Sequence, residues 1–193
     1  SDKDELADGH LLPGLSPLGV PKGLKGTAIP FKYNDENAFL NAIKKNKNKV
    51  GAVIVETIRN IYPSHEFFRT IKKTCEKEGI IIIFDEITSG FRLAGSGAHL
   101  KFGASDDCCM ECFEPDIAVF AKAMTNGYPM SAIIGKREVM NIAQETFVSS
   151  LYWTDSIGPA ATIATIKKII RENVPNYTEK LGYIAQDIWK KAS

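Results

Sequence analysis

The sequence predicts an α/β fold with a mostly parallel sheet. Apolar segments of strand length alternate along the chain with segments whose apolar residues recur at helical spacing. The strand-like segments are continuously apolar, which is typical of strands that are covered on both faces, as in parallel sheets. Ligands of such sheets bind at the carboxyl ends of the strands. Polar residues that follow the apolar segments are therefore the first candidates for a functional site.

Residues 1–28 are predicted to form an extended loop, because glycine and proline interrupt every regular pattern there. Residues 29–33 alternate between apolar and polar side chains, which predicts a short strand. Asn34 or Asp35 then caps a helix over 36–45.

The next three elements form the pattern strand, helix, strand. A strand is predicted over 50–55 and a second one over 80–84. The helix between them covers 65–77, with Ser64 as its N-cap and Gly79 as the residue that ends it.

The second half of the chain continues the alternation. A glycine-rich loop over 88–103 is followed by strands over 117–121 and 132–134. Helices are predicted over 137–145, 156–170 and 177–191. The helix over 156–170 has a wide apolar face, formed by Ile157, Ala160, Ala161, Ile163, Ala164 and Ile166.

The composition is that of an ordinary globular protein. Of the 193 residues, 44% are hydrophobic and 24% are charged, and the formal net charge is +1. This balance gives no electrostatic reason to expect nucleic acid or a membrane as a partner. No apolar run approaches the roughly 20 residues of a transmembrane helix, and residues 1–5 are unlike a signal peptide. We expect a cytoplasmic protein.

Three of the four cysteines, Cys108, Cys109 and Cys112, lie close together before a predicted strand. A zinc site would need a further ligand such as Cys75 or His99, but no second pair stands at ligand spacing. A redox C-x-x-C motif usually opens a helix after a strand, which is not its context here. We therefore expect free thiols in a surface loop and no metal.

Asp85 and Lys122 each follow a predicted core strand, where an unpaired charge would be costly. A nucleotide hydrolase also carries an acidic residue after an apolar strand, but the phosphate-binding glycine-lysine motif of that class is absent from this sequence. Residues 95–100 lack the last glycine of the dinucleotide-binding fingerprint. An aspartate at a strand end can equally be structural.

Lys122 also has two readings. Its stem can lie along apolar surface while the amine stays in water. Alternatively, the tight turn predicted by Asn126, Gly127 and Pro129 places the lysine beside a bound ligand. A desolvated amine there has a lowered pKa and can form a Schiff base.

Three runs of sequence resemble the large domain of class-III pyridoxal-phosphate-dependent aminotransferases, and they are most similar to the glutamate-1-semialdehyde aminomutase branch. These runs are 53–56, 84–92 and 115–122. The second reads Phe-Asp-Glu-Ile-Thr-Ser-Gly-Phe-Arg, and Lys122 stands 37 positions after Asp85. Either half alone would be a weak signal, and the combination is specific.

The resemblance implies the three-layer α/β/α large domain of fold type I, present here as an incomplete central fragment. Residues 29–175 would form that domain, and 176–193 a helix leading toward an absent C-terminal small domain. Relatives also carry an earlier glycine- and hydroxyl-rich turn that binds phosphate, which 1–28 does not match. We therefore expect the chain alone to bind the cofactor weakly and to be inactive.

The implied cofactor is pyridoxal 5'-phosphate. By resemblance, Asp85 pairs with the pyridine nitrogen, and Lys122 carries the cofactor as a Schiff base and acts as the base. Ile87 presses on one face of the ring. Thr154 reaches the cofactor phosphate of the neighbouring subunit, which implies a homodimer, although a threonine there can also be a helix cap.

Three further residues are assigned more loosely. Glu56, Glu86 and Arg92 either bind substrate or support the residues that do, and Glu56 can equally be a solvated strand-end carboxylate. The predicted function is an aminotransferase or aminomutase acting on a small amino-group donor and acceptor. The alternative is a non-catalytic α/β interaction or assembly domain derived from the same fold.

Overall fold

The computed structural model describes residues 19–103 and 114–192. They divide into two compact units, with the boundary between Val50 and Gly51. The cysteine cluster and residues 1–18 of the predicted N-terminal loop lie outside the described residues.

Among the described residues of the first unit, 19–50, there is one α-helix, α1 (Glu36–Lys45). The side chain of Asp35 caps it by accepting a hydrogen bond from the Ala38 N–H at 2.8 Å, which confirms the predicted start. The strand predicted over 29–33 is wrong, because these residues form no ladder. Pro30 has no N–H to donate to a partner strand, and the Phe31 ring instead packs edge-to-face on Phe39, with ring centres 5.3 Å apart.

The second unit is built on a four-stranded sheet. Its strands are β1 (Ala52–Glu56), β2 (Ile81–Asp85), β3 (Ile117–Phe120) and β4 (Ala132–Gly135), which lie side by side in that order. The first three strands are parallel, and β4 runs antiparallel to β3. The predicted α/β fold with a mostly parallel sheet is therefore confirmed.

The helix α2 (His65–Glu78) connects β1 to β2. As predicted, Ser64 caps the start of this helix, where its hydroxyl accepts a hydrogen bond from the Phe67 N–H at 3.0 Å. Gly79 ends the helix in the left-handed conformation, with φ of 67°. The buried face of α2 consists of Phe67, Phe68, Ile71 and Cys75.

Four more α-helices belong to the part of the second unit that the structure describes. The predicted loop over 88–103 ends in a short helix, α3 (His99–Gly103). The helix predicted over 137–145 is divided into α4 (Arg137–Met140) and a 3-10 turn. The last two predicted helices are confirmed as α5 (Ile157–Arg171) and α6 (Val174–Ala192).

One face of the sheet is buried in the described chain and the other is open. The buried face is formed by Val53, Val55, Ile82, Phe84, Ala118 and Phe120. On the other face, Ile54 is 65% exposed and Ile83 is half-buried. The expectation of strands buried on both faces is therefore corrected for the described residues, which supply only one covering layer.

The apolar face predicted for α5 is also mostly open. Ala161 and Ile166 are half-buried, whereas Ile157 is 59% and Ile163 55% exposed. An apolar helix face as wide as this one is normally covered by other protein segments, and the described residues cover only part of it. No helix among the described residues has the length and hydropathy needed to span a membrane.

Candidate active site

The carboxyl ends of the three parallel strands meet at one edge of the sheet. Glu56 ends β1 and lies opposite Asp85, which ends β2. The Glu86 N–H donates to the Val119 carbonyl at 2.9 Å, so the segment after Asp85 stays attached to β3. Lys122 follows three residues after Val119. Parallel strand direction therefore brings Asp85 and Lys122 to the same edge.

Asp85 is half-buried and has one carboxylate oxygen committed to its own turn. Its Oδ1 accepts a hydrogen bond from the Ile87 N–H at 2.9 Å. Within 19–103 and 114–192, no other hydrogen bond reaches this carboxylate. Its second oxygen can accept a hydrogen bond from a donor group of a ligand.

Lys122 lies in a backbone conformation that side-chain-bearing residues seldom adopt, with φ of 50°. It opens a 3-10 turn whose continuation includes Asn126, with φ of 50°, and Gly127, with φ of 124°. The tight turn predicted after the lysine is confirmed. Left-handed backbone at a non-glycine residue is a feature that clusters at functional sites.

The turn after β2 connects the two residues. The Lys122 Nζ donates to the Thr88 Oγ1 at 2.9 Å, and Thr88 is three residues beyond Asp85. The Gly90 N–H closes the turn by donating to the Glu86 carbonyl at 2.9 Å. A Cβ at Gly90 would lie 2.8 Å from that carbonyl oxygen, so this turn requires glycine.

Glu86 is fully buried and faces a different set of partners from Asp85. Its carboxylate accepts from the Ser89 Oγ at 2.8 Å, from the Ala98 and His99 N–H groups at 2.9 Å each, and is 2.7 Å from the His99 Nδ1. Burial alone would raise the pKa of Glu86. The hydrogen bonds from His99, Ala98 and Ser89 outweigh burial and hold that pKa below its ordinary value.

Arg92 and Lys122 line a cavity of about 840 Å³, whose other walls come partly from α5 and α6. Lys168 also lines it, but the Lys168 charge is balanced by Glu172 at 3.0 Å. Glu179, the acidic residue among the described lining residues, is likewise paired, with Lys101 at 2.9 Å. The cavity is therefore electropositive. Asp85 is not among its lining residues.

Glu56 is half-buried and pairs with Arg59, with the Glu56 Oε1 and the Arg59 Nη1 3.3 Å apart. In this structure it is a strand-end carboxylate with a local partner. It stands in register with Asp85 on the neighbouring strand.

Thr154 is exposed in the turn before α5, and it forms no hydrogen bond with Asp85 or Lys122. Its neighbour Asp155 accepts a hydrogen bond from the Tyr128 hydroxyl. This bond raises the pKa of Tyr128 and lowers that of Asp155. The bond ties the segment that carries Thr154 to the turn that follows Lys122.

Sequence reasoning missed Thr88, His99 and the pair Tyr128–Asp155. Thr88 could have been found, because it follows a strand end in the same turn as Asp85 and Ile87. The partners of Glu86 and Tyr128 carry no sequence signal, since each lies a dozen or more residues away along the chain.

The residues at this edge fit the chemistry of pyridoxal phosphate. A carboxylate with an oxygen available suits a protonated ring nitrogen, and an exposed primary amine suits an aldehyde. Ile87 lies two residues after Asp85, and its N–H is hydrogen-bonded to that carboxylate. In the described parts of the chain, no group of three or more His, Cys, Asp or Glu side chains could hold a metal ion.

A family model described as aminotransferase class-III matches residues 24–192. Among curated relatives, the glutamate-1-semialdehyde 2,1-aminomutase of Cytophaga hutchinsonii is 35% identical over 126 residues, which cover 63% of this chain and 27% of the relative. The 3-aminobutyryl-CoA aminotransferase of Cloacimonas acidaminovorans is 31% identical and is matched over 81% of this chain and 37% of its own length. The chain thus spans about a third of the length of the curated relatives it matches.

The fold also matches solved structures. The FumI protein of Sphingopyxis sp. MTA144, in its PLP internal aldimine form, superposes with a TM-score of 0.70 at 28% identity, covering 80% of this chain and 36% of FumI. This likeness agrees with the α/β architecture and with a partial domain.

Proposed function

The chain belongs to the class-III aminotransferases, whose cofactor is pyridoxal 5'-phosphate, and from that premise we propose that it carries the catalytic pair of an enzyme that moves an amino group. The observation that supports the proposal most strongly is the placement of Asp85 and Lys122 at the ends of neighbouring parallel strands. A second support is the turn that connects them through Thr88.

Lys122 is the residue that we propose holds the cofactor covalently, through its Nζ. Lys122 is exposed just after the end of β3, and its backbone is in the left-handed region. When the amine is free of the cofactor, it is the base that moves a proton from the substrate Cα.

Asp85 is proposed to accept a hydrogen bond from the ring nitrogen with the oxygen that its own turn leaves available. When bound, the cofactor supplies an electron sink for the carbanion that forms at the substrate Cα. A carboxylate at this nitrogen keeps the ring protonated. Ile87, whose N–H donates a hydrogen bond to Asp85, is proposed to pack on one face of the ring.

The reaction is proposed to be transamination or aminomutation between a small amino-group donor and acceptor. Both reaction classes occur among the named relatives, which include aminomutases and aminotransferases. We assign Arg92 to the substrate side, because it shares an electropositive cavity with Lys122. Glu56 and Glu86 are assigned supporting roles, since each carboxylate already has protein partners.

The working enzyme is proposed to be a cytoplasmic homodimer in which Thr154 binds the cofactor phosphate of the neighbouring subunit. Thr154 follows an exposed apolar segment in which Phe147 is 98%, Leu151 91% and Trp153 69% exposed. An apolar surface of this extent is typical of a protein interface.

The proposal is tested with the natural protein and its Lys122→Ala variant. The unsubstituted protein should show visible absorbance from covalently held pyridoxal phosphate and should transfer amino groups. Lys122→Ala should lose both. Lys167→Ala, which removes an exposed lysine of α5, is the matched control and should keep both. A Lys122→Ala protein that retains the absorbance and the activity would refute the assignment.

A further inference from the structure

The Lys122 amine is held by one side chain in the described part of the chain. Its Nζ donates to the Thr88 hydroxyl at 2.9 Å, and no carboxylate of residues 19–103 or 114–192 forms an ion pair with it. Lysine has a flexible four-carbon stem, so an unheld amine would sample many positions. The orientation of the amine therefore depends on where Thr88 lies.

Thr88 lies in a turn that is fixed at both ends. At its start, the Glu86 N–H is bonded to the Val119 carbonyl of β3 at 2.9 Å. At its end, the Gly90 N–H is bonded to the Glu86 carbonyl at 2.9 Å. Since β3 also leads directly to Lys122, Thr88 and Lys122 are placed by the same strand.

The Glu86 carboxylate fixes the turn from the inside. It is bonded to Ser89 within the turn and to Ala98 and His99 at the start of α3. The side chain is fully buried, so any movement that breaks these bonds leaves a buried charge without partners. This cost keeps the turn in one conformation.

We propose that Thr88 is a positioning residue for Lys122, and that Glu86 keeps Thr88 in place by fixing the turn from 86 to 90. The Thr88 hydroxyl accepts a hydrogen bond from the amine and holds it at the edge of the sheet where β2 and β3 end, before the cofactor binds. The assignment of a cofactor to Lys122 comes from the proposed function, on which this inference rests.

Two opposite effects follow from removing the hydroxyl. Lys122 loses the hydrogen bond that restrains its amine, so the amine becomes more accessible and should react faster with a small, unspecific acylating reagent. The amine also loses its orientation, so its attachment to pyridoxal phosphate should become slower. A purely structural effect would not change the two rates in opposite directions.

The test compares Thr88→Val with Thr88→Ser in the natural protein after removal of the cofactor. Acetylation by acetic anhydride is followed at single lysines by mass spectrometry, with exposed Lys167 as the internal reference. Attachment of added pyridoxal phosphate is followed separately by its absorbance, and it should be slower in Thr88→Val. In Thr88→Val, Lys122 should be acetylated about threefold faster than in the unsubstituted protein, which is the effect of losing one exposed hydrogen bond to a charged group. Thr88→Ser keeps the hydroxyl and should behave like the unsubstituted protein. Equal Lys122 rates in all three proteins would overturn the proposal.

The contribution of Glu86 is tested through Ser89→Ala, which removes one bond of the carboxylate from within the turn. This change is milder than replacing the buried glutamate itself. Lys122 should acetylate faster than in the unsubstituted protein and more slowly than in Thr88→Val. An unchanged rate would contradict the role given to Glu86.

This outcome can be separated from that of the proposed function. Acetylation is measured without cofactor, so it reports on Thr88 even if pyridoxal phosphate attaches to another lysine. In that case the proposed function fails and the positioning of Lys122 stands. If the cofactor attaches to Lys122 but Thr88→Val changes neither rate, the positioning role alone fails.

Discussion

Asp85 and Lys122 owe their positions to different local causes. Asp85 is oriented by the Ile87 N–H within its own turn. Lys122 is oriented by a left-handed backbone and by the Thr88 hydroxyl. At the scale of single residues, each group therefore has a specific partner whose loss can be measured.

Asp85→Asn is expected to lower kcat by about a hundredfold or more, because an amide cannot keep the ring nitrogen protonated. The change is measured by steady-state kinetics of the natural protein. Asp187→Asn, which alters an exposed carboxylate of α6, serves as the control and should stay close to the unsubstituted rate. Similar kcat values for the two variants would contradict the role of Asp85.

The apolar runs and the parallel order of the strands predicted that Asp85 and Lys122 lie at one edge of the sheet. Their proposed roles came from the resemblance to class-III aminotransferases, because each residue taken alone had a structural alternative. The sequence could not select Thr88 as the partner of Lys122. That bond depends on the positive φ of Lys122 and on the conformation of a turn that Gly90 and Glu86 fix. It could not select His99 as the partner of Glu86 either, since 13 positions separate them and the path of the loop between them does not follow from the sequence.

At the scale of elements, the Glu86 carboxylate attaches β2 to the start of α3. Its pKa is lowered on folding, so it contributes stability above its unfolded pKa of about 4.3, and this contribution is lost as the pH falls through the lower folded value. Asp116 acts in the same direction. Burial opposes its charge, but the Ile82 N–H and Lys136 outweigh burial and lower the pKa of Asp116.

Glu86→Gln is therefore expected to be less stable than the unsubstituted protein at pH 7, by about 2 kcal/mol, because one buried acceptor is replaced by a donor. The difference should shrink as the pH falls below about 4. Urea unfolding between pH 7 and pH 3 measures it. A difference that is constant over this range would show that the Glu86 charge does not stabilise the fold.

The N-terminus of α2 gives a second test at this scale. Ser64→Ala should lower the free energy of unfolding by about 1 kcal/mol, because the Ser64 hydroxyl caps the helix at 3.0 Å. Ser156→Ala is the matched control, since Ser156 precedes α5 without capping it. Equal losses in the two variants would contradict the capping assignment.

Helix starts were predictable because caps are local, as Asp35 and Ser64 show. The strand predicted over 29–33 was wrong for a non-local reason. Alternation of apolar and polar residues does not make a strand without a partner to pair with, and Pro30 removes a donor from the ladder. The open face of the sheet was also not predictable. The apolar residues of a strand indicate that both of its faces are buried, but they do not indicate which segment packs on each face.

At the scale of the whole molecule, the second unit exposes much apolar surface. One face of its sheet and most of the apolar face of α5 are open among the described residues. The chain spans about a third of the length of its curated relatives. The described residues supply groups for the cofactor's ring and aldehyde, namely Asp85, Ile87 and Lys122.

The 193 residues alone are expected to bind pyridoxal phosphate weakly, without saturation at one equivalent. The reason is that residues 1–28 do not match the glycine- and hydroxyl-rich turn to which the phosphate is expected to bind by resemblance. Absorbance titration of the isolated polypeptide, beside the natural protein under the same conditions, measures this. Tight, stoichiometric binding by the 193 residues would contradict the prediction and would mean that they contain every group the cofactor needs.

The most direct test of the catalytic pair is reduction of the natural protein with borohydride in the presence of pyridoxal phosphate. Reduction fixes the cofactor to the amine that holds it, and peptide mass spectrometry then identifies the labelled residue. The label is expected on Lys122 and on no other lysine. A label on another lysine, or none at all, would contradict the account of this site.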